Sequence, residues 1–246
     1  MEPGSTAAER KGHAPSFLQR RLYWLAWHVV LLWFTVVYRG RRFHMERIPR
    51  TGPLLLVSNH QSHFDPPLIA TCNPWRPTHF LARAGLFKKR AFAWLITALN
   101  AVPIREESGD LGAIREILAR LALGVPVLVF PEGSRTPDGN LQEFKRGVAV
   151  LIKRARCPVV PMAVEGCFDA FPRQRSMPRL WGRRVAVMAG EPIWPEELFR
   201  DGPEAALARL EREVAALQRD LQRKLVAGGG RSAGRLGHSH RGGIAV

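Results

Sequence analysis

A chain of 246 residues, 46% hydrophobic and 24% charged, can bury one substantial core and is too apolar to be disordered throughout. Lys and Arg number 37 against 21 Asp and Glu, and the resulting charge of +16 calls for an anionic partner, either nucleic acid or an acidic lipid leaflet. Cys72, Cys157 and Cys167 form no paired framework and are not spaced as metal ligands, so they read as free thiols of a reducing compartment.

Residues 1–15 are a polar, charged segment. An apolar run then extends from Leu22 to Tyr38, interrupted by His28 and Thr35. It is at the lower limit for crossing a bilayer, and no small-residue cleavage site follows it, which argues against a secretory signal. Arg20 and Arg21 precede the run, Arg39, Arg41 and Arg42 follow it, and Tyr23, Trp24, Trp27, Trp33 and Tyr38 lie within it. Basic flanks around an aromatic-rich helix suit the headgroup layer, so residues 16–43 are expected to form a membrane-associated helix. Whether that helix spans, lies on the surface or packs on the protein's own core is left open.

Residues 44–195 read as one α/β domain. A short linker from Met45 to Gly52 carries turn signals at Pro49 and Gly52-Pro53. Short apolar runs mark buried strands at Leu54–Val57, Thr78–Leu81, Ala101–Ile104, Val125–Phe130, Val159–Val164 and Val185–Met188. Helical patterns at Leu86–Leu99, Leu111–Leu123 and Glu143–Ala155 fall between several of them. The alternation predicts a central, largely parallel or mixed sheet flanked by helices. Within residues 196–226, the positions Leu207, Leu210, Val214, Leu217, Leu221 and Leu225 predict an amphipathic helix from Pro203 to Val226. Residues 227–246 are rich in Gly, Arg and Ser and are expected to be a disordered basic tail; His238 and His240 there make a weak metal site at best.

Two segments carry chemistry. Ser58-Asn59-His60-Gln61-Ser62-His63-Phe64-Asp65 follows the first predicted strand, where active-site loops of α/β folds collect. His60 has the chemistry of a general base near neutral pH, and a carboxylate can hold its second nitrogen. Five residues on an ideal helix turn through about 140°, so His60 and Asp65 can meet only if the loop folds back. Pro66 also disfavours a helical conformation at Asp65. Asp65 before two prolines equally suits a helix N-cap, and that alternative stays open. The spacing of His60, His63 and Asp65 matches no standard metal site, and Ser62 lacks a nucleophile elbow. The second segment, Phe130-Pro131-Glu132-Gly133-Ser134-Arg135-Thr136, leaves another predicted strand. Arg135 offers a planar fork for a phosphate, and Gly133 allows close backbone approach to a ligand. Arg105 stands just past a third strand, a position that an ordinary surface arginine also explains.

The order NHQSHFD, AVPIR, FPEGSRT and VVPMAV resembles the four blocks of the glycerolipid acyltransferase family, of the 1-acylglycerol-3-phosphate acyltransferase kind. The first and third blocks match without a gap, and the second and fourth more loosely. The resemblance implies that His60 takes a proton from an acceptor hydroxyl while Asp65 orients it. The alkoxide then attacks an acyl thioester with no covalent acyl-enzyme. It further implies that Arg105, Glu132, Gly133, Ser134 and Arg135 hold the acceptor's glycerol phosphate, and that neither metal nor cofactor is needed. Acyl-CoA or acyl-carrier protein would be the donor, a lysophospholipid the acceptor, and an anionic surface on the cytoplasmic face of the inner or plasma membrane the location. Another acceptor, such as a lyso-ornithine lipid, is compatible with the same blocks. The rival class, a non-catalytic basic membrane or nucleic-acid binder, rests on the charge and the tail, but no nucleic-acid-binding signature accompanies them.

Overall fold

The computed structural model describes residues 17–88, 90–104 and 109–227, so the polar N-terminal segment, Arg105 and the basic tail beyond Ala227, with His238 and His240, lie outside the described residues, and Ala227 itself ends a helix. Strand β2 (Leu54–Ser58) is buried at every position, as a strand covered on both faces must be. The same holds for β6 (Val159–Glu165), and each fully buried Leu or Val stabilises by roughly 1.5–3 kcal/mol. Around this pair stand β3 (His79–Arg83), β4 (Ala101–Ile104), β5 (Pro126–Val129), β7 (Ala186–Ala189) and β1 (Arg41–Phe43). The sheet order is β1-β7-β6-β2-β5-β3-β4. From β6 to β4 every pairing is parallel, whereas β7 runs antiparallel to β6 and carries β1 with it. The sheet is therefore mixed, with its reversed strands at one edge.

Prolines fall where a sheet tolerates a missing N–H. Pro126 opens β5 and Pro103 lies on the edge strand β4. Pro161 in β6 lies just past the end of its pairing with β7, opposite Gly190, whose N–H donates to the Pro161 carbonyl at 2.8 Å. A Cβ at residue 190 would lie 2.8 Å from the Pro161 ring, so the ring requires glycine there.

On one face, helix α1 (Phe17–Val37), α2 (Asp65–Ala70) and α3 (Arg90–Ala98) cover the sheet. The other face carries α4 (Gly109–Ala122), α5 (Gly147–Ala155) and α8 (Pro203–Ala227). Short helices α6 (Cys167–Ala170) and α7 (Pro195–Leu198) lie in the connections. Helix α8 docks on its own domain through Ala206, Leu210, Val214, Gln218, Leu221 and Leu225. The three cysteines are buried free thiols.

Several boundaries differ from expectation. The helix expected over residues 16–43 stops at Val37, and Arg41–Phe43 form β1 instead. The stop is local. Arg39 adopts φ 47°, and the Gly40 N–H donates to Phe34 O at 2.8 Å, an approach that a side chain at residue 40 would obstruct. Arg42, read as a membrane-facing flank, donates instead to Thr71 Oγ1 at 3.2 Å. The Leu86–Leu99 pattern divides into a 3₁₀ turn at Ala84–Lys88 and α3, and α5 begins at Gly147 rather than Glu143. A further 3₁₀ turn, Met45–Arg47, interrupts the linker.

Helix α1 has two different faces. Tyr23, Ala26, Trp27, Val30 and Phe34 are buried, and Trp27 Nε1 donates to Ala70 O at 3.1 Å. Leu25, Val29, Leu32 and Val36 form an exposed apolar stripe. Among the described residues, no helix is long and apolar enough to cross a membrane.

Candidate active site

The parallel strands β2, β5 and β6 all end at one edge of the sheet, and the loops that leave β2 and β5 there interlock. Asn59 anchors the first loop to β6 by exchanging bonds with Val164, Nδ2–H to Val164 O at 3.0 Å and Val164 N–H to Oδ1 at 2.8 Å. The chain then folds back on itself. Asp65, fully buried, accepts from His60 Nδ1 at 2.8 Å, the Gln61 N–H at 2.6 Å and the Ser62 N–H at 2.7 Å, all on Oδ2. The fold-back expected from the spacing is thus present.

Asp65 is nevertheless the first residue of α2, contrary to the expectation from Pro66. Proline in the first turn has no intrahelical bond to lose, so Pro66 and Pro67 begin the helix without breaking it. Phe64 occupies the N-cap position, and the Asp65 carboxylate caps the turn before the helix rather than the helix itself. The Ser62 hydroxyl is engaged in that turn, donating to Phe171 O and accepting from the Phe64 N–H.

The second loop supports the first. The His60 N–H donates to Glu132 Oε1 at 2.6 Å, the Thr136 N–H donates to His60 O at 2.8 Å, and Phe130 stacks on the imidazole with centroids 3.9 Å apart. With Nδ1–H committed to Asp65 and the ring plane set by Phe130, Nε2 is the nitrogen left to accept a proton. Glu132 differs from the expected substrate contact. Its second oxygen accepts from the Gln142 N–H at 3.2 Å, it is 4% exposed, and it is not among the residues lining the cavity. Burial pushes its carboxyl up to about 8, against the pull of the two backbone donors.

A cavity of about 640 Å³ opens beside His60, within the range of small-molecule sites. His60, Gly133, Ser134 and Arg135 line its polar end. Arg83, Lys145 and Arg173 also line it. Burial lowers the proton affinity of Arg135, as do Arg173 and Arg83, while Asp65 opposes them. This mutual repulsion is what a bound dianion would relieve. Gly133 has φ 71°, and a Cβ there would lie 2.5 Å from Lys145 Cε, so the lysine lies against the loop only because residue 133 is glycine. His63 also lines it, and the rest of the lining is mainly apolar, with Leu86, Leu95 and Leu99 on one side and Ile114, Ile117 and Leu151 on the other.

Sequence reasoning missed Arg83, Lys145 and Arg173. Arg83 was within reach, since it ends β3 much as Arg105 follows β4. Arg173 comes from a distant segment and only the fold brings it near, with Nη1 donating to Arg135 O at 3.2 Å. Also missed was a buried polar cluster on Glu165, whose Oε2 accepts from Gln61, Gln218 and Gln222 at 3.1, 2.9 and 3.2 Å. It joins the His60 loop to α8. Cys167, beside Asp65, is held as a neutral thiol, because burial and the neighbouring carboxylates raise it well above its usual value.

The family model described as Acyltransferase matches residues 40–165, which include both interlocked loops. The chain belongs to this family. Among curated members, the 1-acyl-sn-glycerol-3-phosphate acyltransferase of Streptococcus pneumoniae is 26% identical over 200 residues, covering 79% of this chain and 72% of that one. The Pseudomonas aeruginosa enzyme of the same name is 29% identical over 144 residues, 56% and 54% of the two chains. A chloroplastic member from Brassica napus is 27% identical over 131 residues, and the match spans only 38% of it. The matched part of this chain is thus from about a third to just over half of the length of several curated relatives. The crystal structure of the 1-acyl-sn-glycerophosphate acyltransferase PlsC from Thermotoga maritima superposes with a TM-score of 0.62 at 26% identity, covering 81% of this chain and 79% of that one. This acyltransferase architecture is the mixed α/β sheet described above.

Proposed function

We propose that this chain transfers a fatty acyl group from a thioester, acyl-CoA or acyl-carrier protein, to the free hydroxyl of 1-acylglycerol 3-phosphate, giving phosphatidic acid. The observation that carries the reading is His60, fixed through Nδ1 by Asp65 at 2.8 Å, beside a cavity that is cationic at one end and apolar beyond. His60 Nε2 removes the acceptor's hydroxyl proton as the oxygen attacks the thioester carbonyl. The tetrahedral intermediate collapses, the C–S bond breaks, and the thiolate leaves with the proton returned by the imidazolium. Asp65, with three donors on one oxygen, stabilises the imidazolium in between. Arg135 and Ser134 bind the acceptor phosphate beside Gly133, whose own N–H donates to Phe130 O at 3.0 Å and which contributes by leaving room, and Arg83, Lys145 and Arg173 add to the field. Arg105 is assigned to the same phosphate by family resemblance. Glu132 acts by tying His60 to the second loop.

The enzyme works attached to an anionic leaflet at its cytoplasmic face. The exposed stripe of Leu25, Val29, Leu32 and Val36, backed by a charge of +16, supports attachment along the surface.

The test supplies palmitoyl or oleoyl thioester with lysophosphatidic acid and follows free thiol while identifying the lipid. Thiol release that depends on acceptor, yields phosphatidic acid and drops about 10²–10⁴-fold in folded His60→Ala is expected. Release with other lysolipids but not with this one would reassign the acceptor. Absence of release with every donor and acceptor, from folded protein, would refute the enzyme reading.

A further inference from the structure

Residues 171–185, between α6 and β7, present Met177, Leu180 and Trp181 at 69%, 42% and 73% exposure. Arg173, Arg175, Arg179, Arg183 and Arg184 are interleaved with them, and residues 171–190 contain no Asp or Glu. Such apolar tips are costly in water and mark a contact surface. The segment is not loose. Arg179 Nη1 donates to Asp169 O at 2.9 Å and its N–H to Ala170 O at 2.8 Å.

Its position says what it faces. The Val185 N–H donates to Tyr38 O, and the Arg41 N–H to Val185 O, so the segment ends against the C-terminus of α1. The registers Glu165↔Ala186 and Arg41↔Ala186 set this junction level with the end of β6, the sheet edge from which the His60 loop emerges. At its other end, Phe171 O accepts from Ser62 Oγ at 2.7 Å, and Arg173 lines the cavity. The segment therefore bridges the exposed apolar helix and the mouth of the site.

We propose that residues 171–185 are a second lipid contact. Met177, Leu180 and Trp181 enter the headgroup layer of an anionic leaflet, the arginines lie among its phosphates, and the cavity mouth is held against the bilayer. Tryptophan beside arginine suits that layer, and the junction of the segment with the C-terminus of α1, the helix that carries the exposed apolar stripe, favours a bilayer over a protein or nucleic-acid partner. The proposal rests on the membrane attachment inferred above and deepens it.

The test uses the full chain with an environment-sensitive fluorophore on Trp181→Cys, the native cysteines being buried. Vesicles containing phosphatidylglycerol are expected to shift the emission to the blue, and pure phosphatidylcholine vesicles are not. In unlabelled protein, Leu180→Ser with Trp181→Ser should lower partition onto the anionic vesicles by about ten-fold. Its thiol release with a short-chain, monomeric acceptor should be unchanged. A probe that stays in water on vesicle-bound protein overturns the proposal, as does unchanged partition of the double variant. So does a shift without vesicles that grows with protein concentration, or one that duplex DNA produces equally well. If the wild-type chain binds neither vesicle, membrane attachment itself fails and this contact with it; if it binds but releases no thiol, only the enzyme reading fails.

Discussion

At the scale of single residues, the site depends on carboxylates doing unlike things. Asp65 uses one oxygen to hold the imidazole and two backbone N–H groups, so its charge and the shape of the loop cannot be separated. Because all three donors share Oδ2, Asp65→Asn either keeps a neutral oxygen there and loses the charge that stabilises the imidazolium, or sets an NH₂ against Nδ1 and both backbone N–H groups. Thiol release is expected to fall about 10²–10⁴-fold while a circular-dichroism melt still shows a cooperative fold. Glu132 instead bears on stability. Its folded value of about 8 lies above its ordinary 4.5, so the folded state retains a proton that the unfolded chain has lost, and stability falls as pH rises through that window. Denaturant melts between about pH 5 and 9 should show wild type losing on the order of a few kcal/mol relative to Glu132→Gln, with the difference levelling above about 8. His60, Asp65, Gly133, Ser134 and Arg135 were legible in the sequence because each stands in a short contiguous motif. The positioning of Glu132 was not, because its partners His60 and Gln142 belong to separate stretches.

At the scale of elements, α1 divides along its length into a structural and a solvent-facing surface. Phe34 is 2% exposed and packs on Tyr38 and Phe64, so Phe34→Ala should cost about 3–5 kcal/mol in a chemical melt. Leu32 is 63% exposed, and Leu32→Ser should change stability by no more than about 0.5 kcal/mol. Its effect should appear instead as weaker flotation with anionic vesicles. The aromatic-rich pattern was readable, yet a run apolar on all sides does not say which side meets the core. Strand β1 was unreadable for a related reason. Arg-Arg-Phe has no strand signature, and only pairing with β7 makes it one. By contrast β2, β5 and β6 were evident as apolar runs, because strands covered on both faces must be apolar throughout.

At the scale of the whole molecule, charge and apolar surface act together. Raising salt from about 0.1 M to about 1 M shortens the screening length from about 10 Å to about 3 Å. Partition onto phosphatidylglycerol vesicles, measured by flotation, should therefore fall steeply across that range; an unchanged partition would leave the +16 charge without a role in attachment. The family, the alternation of strand and helix, and the motifs bearing His60 and Arg135 could be read from the chain before any folding, because these depend on neighbours a few residues apart. Tertiary structure alone decided that β7 and β1 run against the other strands, that Arg83, Lys145 and Arg173 join Arg135, and that Gln218 of α8 meets Gln61 on Glu165. Those outcomes depend on which sheet edges and loop ends meet, and pairings between residues far apart in the chain leave no periodic trace in it.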